Sequence, residues 1–88
     1  MTDEQRKALT LYLGEPWTLS YNMRSFTTDA DMMALFRKMV DNKEYDKFRF
    51  TTKERLTFAL PVGVFDEQWL FYDPERFCYL VAEWLVKK

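Results

Sequence analysis

A capping signal followed by an apolar face at helical spacing occurs three times in this chain, and that repetition strongly favours a helical fold. Thr2 with Gln5 three positions on forms a capping box, in which two side chains satisfy amide groups otherwise orphaned at a helix start. Leu9, Tyr12 and Leu13 then share one face, and Gly14 before Glu15-Pro16 marks the stop. Thr28 and Asp31 supply the second start; acidic residues suit the dipole of the first turn, and Met32, Leu35, Phe36, Met39 and Val40 line one side. The third start is Asp73 as N-cap with Pro74 in the first helical position, followed by Phe77, Leu80, Val81, Trp84 and Leu85. The spacing predicts helices over 3–13, 28–41 and 74–86.

The intervening segments are less regular. Trp17, Leu19, Tyr21 and Met23 alternate with Thr18, Ser20 and Asn22, which predicts an extended segment over 17–24. Asp41-Asn42 offers a break and restart, so a short helix is expected over 43–49. In KFRFTTKERLTFALP, Phe48, Phe50 and Thr52 alternate like a strand, while Thr51-Thr52-Lys53-Glu54 matches a further capping box. The preferred reading there is a helix over 52–60, ended by Pro61. Residues 62–71 read as a packed loop or short strand. The expected fold is mainly α, a small single-domain bundle spanning residues 1–88; the alternative is α+β, with 17–24 pairing with 48–52 or 62–71.

Core material is plentiful: sixteen of the 88 residues are aromatic. A domain this short hides only about two thirds of its unfolded surface, so it depends on side chains that each remove roughly 150–250 Å² from water. Tyr12, Phe36, Tyr45, Phe48, Phe77 and Trp84 fall on predicted core faces. Trp17, Tyr21, Phe50, Trp69 and Tyr72 do not, and one or two exposed rings suffice for a partner site or a homodimer interface.

Material for chemistry is scarce. There is no His, and the single Cys78 can neither form an internal disulfide nor join a thiolate–imidazole zinc set. Asp29 and Asp31 lie two apart and do not share a helix face; Asp66 and Glu67 read as loop solubilisers. No nucleophile elbow or phosphate-cradling glycine loop is present. The expectation is a non-enzyme without cofactor or metal. No apolar run approaches the ~18 residues needed to span a bilayer, and the N-terminus is charged from its third residue, so a cytoplasmic setting without membrane contact is expected.

Net charge is −1, but it is unevenly spread. Residues 37–55 carry seven basic against four acidic side chains, while each flank carries three against five. Arg37, Lys38, Lys43, Lys47, Arg49, Lys53 and Arg55, interleaved with Tyr45, Phe48 and Phe50, are thus candidates for nucleic-acid binding. Because acids are mixed among them, an ordinary solvated face is the simpler expectation.

Two blocks, FTTDADMMALFRKMVDNKEYDKF at 26–48 and WLFYDPERFCYLVAEWL at 69–85, resemble a loose group of small proteins encoded by phages and prophages. In that group a Phe-Thr-Thr helix start and a Pro-Glu-Arg-Phe-Cys C-terminal helix recur. The resemblance implies a phage or prophage accessory protein, a class whose members often bind and disable host machinery such as restriction or CRISPR effectors. A host bacterial protein is the partner it suggests, with nucleic acid as the alternative.

Overall fold

The computed structural model describes residues 1–17, 24–56 and 67–87. Within them the chain is a bundle of five helices with no strand: α1 (Asp3–Tyr12), α2 (Asp29–Asp41), α3 (Tyr45–Leu56), α4 (Glu67–Tyr72) and α5 (Pro74–Val86). Of the extended segment expected at 17–24, residues 18–23 lie outside the described residues, as do 57–66. Residues 48–52 and 67–71, offered as possible strand partners, are helical.

Local signals set the helix ends as expected. The Gln5 amide donates to Thr2 Oγ1 at 3.2 Å while the Thr2 amide donates to Gln5 Oε1 at 2.9 Å, closing the capping box. At the other end Gly14 turns left-handed at φ +80°. Its amide returns to the Leu11 carbonyl, and that of Glu15 to Thr10, a Schellman closure. Helix α2 ends in the same way without a glycine. Lys43 takes φ +59°, and the Lys43 and Glu44 amides close on Val40 and Met39. The Glu44 side chain is thereby placed to accept a 2.9 Å hydrogen bond from the Tyr12 hydroxyl, tying the α2–α3 corner to α1.

Two expectations are corrected. The predicted break between a helix at 43–49 and another at 52–60 does not occur, because Tyr45, Phe48, Thr52 and Leu56 form one stripe that packs on the core through a single helix. Thr51, which would cap the second helix with Glu54 at N3, is instead an interior residue of α3, and Thr52 beside it is 1% exposed inside that stripe. Of the loop or strand expected at 62–71, residues 62–66 lie outside the described residues and the remainder is helix α4 (Glu67–Tyr72), which buries Leu70 and half-buries Phe71. An apolar run this short has no readable period.

Helix α5 is the hub and packs against all four others. Phe77, Cys78, Leu80, Val81, Ala82 and Trp84 are buried; at 100° per residue they cover roughly 200° of its circumference, which is why it can serve several neighbours. Around it seven rings form a continuous series of contacts: Tyr12 to Trp84 (6.4 Å between centroids), Trp84 to Phe48 (5.7 Å), Phe48 to Phe77 (5.7 Å), Phe77 to Phe71 (5.0 Å), Phe71 to Phe36 (5.2 Å) and Phe36 to Tyr45 (4.8 Å). This series touches all five helices. All but one of its contacts are edge-on; the exception is the stacked Phe71–Phe77 pair. Both are arrangements that aromatic quadrupoles favour.

Polar links close the exterior. Arg55 of α3 donates to Glu83 of α5, and this hydrogen bond, followed by one from Tyr79, holds the Glu83 carboxyl below its ordinary 4.5. A carboxyl lowered by folding stabilises the folded state above that ordinary value, and the contribution is lost as pH falls through the lower folded value. Replacing Glu83 by Gln is therefore expected to lower stability at neutral pH and to flatten the loss of stability below pH 4.5. Urea midpoints across that range check it; parallel pH profiles for both proteins would contradict it.

Candidate interaction surface

The five rings left over by helical patterning go to different places. Trp17 is half-buried beyond α1, and Tyr21 lies outside the described residues. Phe50 stands on the outer side of α3, 64% exposed. Trp69 and Tyr72, three apart on α4, share a face. Tyr72 is 86% exposed, and Trp69 is half-buried beneath the Arg76 guanidinium, whose carbon lies 3.9 Å from the ring centroid.

That cluster is built by the Asp73-Pro74 junction. The Asp73 side chain accepts from the Glu75 and Arg76 amides and starts α5 directly after α4 ends. The first turn of α5 then brings Arg76 back over α4, where its Nη2 donates to the Trp69 carbonyl. A cation stacked on an indole and anchored by a hydrogen bond has lost much of its rotamer freedom before any partner arrives. Arg76 was missed in the sequence reading because it lies on a core-facing helix seven positions from Trp69. The only signal was the Asp-Pro break between them.

The basic centre does not converge. Arg49 pairs with Asp46 at 3.3 Å and lies over the Tyr45 ring at 5.8 Å, while Arg55 faces Glu83. Arg37 is exposed on α2 and Lys38 half-buried. Lys43 lines an open pocket of about 350 Å³ with Val40, Tyr45 and Asp46. Lys47 and Lys53 are exposed on either side of Phe50. Arg49 and Arg55 are thus already paired with carboxylates, which weakens a continuous phosphate track.

Of the two acidic pairs, Asp66 lies outside the described residues, and Asp29 and Asp31 do not converge. Asp29 is exposed, whereas Asp31 is 6% exposed and turned inward. Asp31 accepts from Arg24 Nη1 and from the Phe26 amide, both at 3.0 Å, and Arg24 also donates to Glu15. The role of Asp31 therefore goes beyond the expected dipole complement: it organises the turn before α2. Cys78 is fully buried, and burial pushes its thiol up to about 12, which suits a small hydrophobe and not a nucleophile. Among the described residues no three His, Cys, Asp or Glu side chains are placed to hold a metal, and no helix is long and apolar enough to cross a membrane. No family model, curated protein or solved structure matches the chain.

Proposed function

We propose that the chain is a non-catalytic binding protein of phage or prophage origin, working in the bacterial cytoplasm by docking on a host protein through Tyr72, Trp69 and Arg76. The observation that carries this reading is Tyr72, 86% exposed beside a tryptophan already covered by an arginine. Tyr, Trp and Arg are the side chains that dominate interface energetics, and a pre-ordered cluster of them binds at reduced entropic cost. The phage resemblance supports a host target, with restriction or CRISPR effectors as the narrower candidates. Nucleic-acid binding through the basic centre is the weaker reading, since Arg49 and Arg55 are engaged within the fold.

The test compares wild type with Tyr72→Ala, immobilised and exposed to bacterial lysate. Removing an exposed ring is expected to change stability by less than about 0.5 kcal/mol, while a hot-spot truncation lowers retention of a specific protein by about tenfold or more. In cells carrying an active restriction or CRISPR system, wild type is expected to raise phage plating efficiency and the variant to lose that effect. Equal retention by both proteins, or no retained protein and no plating effect, would overturn the proposal.

A further inference from the structure

Helix α3 is packed in an unusual sense: it buries Thr52, whose Oγ1 has no hydrogen-bond partner among the described residues, and leaves Phe50 64% exposed. Burying a Phe side chain is one of the larger single stabilisations open to a small domain, so the fold forgoes a substantial stabilisation at this position. The surroundings of Phe50 indicate what covers it. At 100° per residue, Lys47 and Glu54 flank Phe50 on one side of the helix, and Asp46 and Lys53 flank it on the other. All four are exposed.

We infer that this face is covered by the same face of a second copy of the chain, with the two α3 helices antiparallel and a two-fold axis passing at Phe50. In an antiparallel pair related by such an axis, each flank meets its own counterpart running the other way. Lys47 then meets Glu54 of the second copy and Asp46 meets its Lys53. Each pair is offset by only about 1.5 Å along the axis. The two-fold repeats both, so four opposite-charge pairs surround a Phe50–Phe50 contact. The antiparallel sense also sets the helix dipoles head to tail and keeps the two Lys43 side chains at opposite ends, whereas a parallel pair would bring them together. Asp46 is already held by Arg49, so the Lys47–Glu54 pairs supply more of the selectivity. A contact one helix face wide falls below the ~1,200 Å² of a stable interface, and the dimer belongs to the transient class. It is independent of the Tyr72 cluster and would make the binder bivalent.

The test is sedimentation and chemical crosslinking of the whole chain up to about 1 mM, a range suited to a transient pair. Wild type is expected to show concentration-dependent dimer, and Phe50→Ala to remain monomeric with an unchanged melting midpoint. Lys47→Glu with Lys53→Glu, and separately Asp46→Lys with Glu54→Lys, are each expected to be monomeric, whereas their equimolar mixture recovers a heterodimer. The antiparallel register is read from a mixture of Lys47→Cys and Glu54→Cys chains, which is expected to oxidise to the mixed disulfide faster than Lys47→Cys with Asp46→Cys. A wild type that stays monomeric, charge variants that still dimerise, a mixture that fails to recover association, or the reverse order of disulfide formation would overturn the inference.

Discussion

Phe48→Ala is expected to cost about 3–5 kcal/mol, the usual range for removing a buried aromatic side chain. Phe48 is fully buried and occupies the middle of the ring series, touching Trp84 on one side and Phe77 on the other. Its removal separates the Tyr12–Trp84 pair from the group formed by Phe77, Phe71, Phe36 and Tyr45. The loss also falls on a helix with little else to hold it, since its other core positions are a threonine and the half-buried Tyr45 and Leu56. A domain of this length has a total stability of about 4–13 kcal/mol, so the variant is expected to be partly unfolded at 37 °C. Urea unfolding followed by tryptophan fluorescence measures it. A loss below about 1 kcal/mol would mean that the ring series does not carry the core.

Asp31→Ala ranks second, at about 2–4 kcal/mol. The substitution leaves the Phe26 amide buried without its acceptor, which costs about 1–3 kcal/mol. It also removes one of the two carboxylates paired with Arg24. Arg24 is about a third exposed and keeps Glu15, so that second loss is screened and worth about 1 kcal/mol. Phe26 makes the site sensitive: it is fully buried at φ +58°, a conformation unfavourable for a bulky residue, and the Asp31 carboxylate is what its amide faces. Asp31→Asn preserves size and an acceptor oxygen and is expected to cost about half as much. A difference of less than 0.5 kcal/mol between wild type and Asp31→Ala, by the same urea measurement, would contradict this role.

Reading the sequence located three of the five helices, α1, α2 and α5, for local reasons. Thr2, Gly14, Thr28, Asp73 and Pro74 act on groups within a few residues of themselves, and the structure uses each as its chemistry dictates. The merged α3 was not legible, because Thr51 with Glu54 carries a valid capping signal that is overridden by packing of the Tyr45, Phe48, Thr52 and Leu56 stripe on the core through one helix. Helix α4 was hidden by its length. In the candidate site, Trp69 and Tyr72 were identifiable as rings without a core face, but Arg76 was not, since its stacking depends on the angle between two helices. The same limit applies to Asp31: nothing local distinguishes a first-turn aspartate facing water from one turned inward to hold Arg24 and Phe26.

Seven aromatic residues form a structural series while Tyr72 stands exposed, and the proposal that this exposed ring serves binding is tested most directly at position 72. A photo-crosslinking phenylalanine derivative placed at position 72, in chain expressed inside bacteria, is expected to give a discrete crosslinked protein band on illumination. The same derivative at exposed Leu11, on α1, is expected to give none. No band from position 72, or equal bands from both positions, would contradict the assignment of the Tyr72, Trp69 and Arg76 cluster as the binding surface.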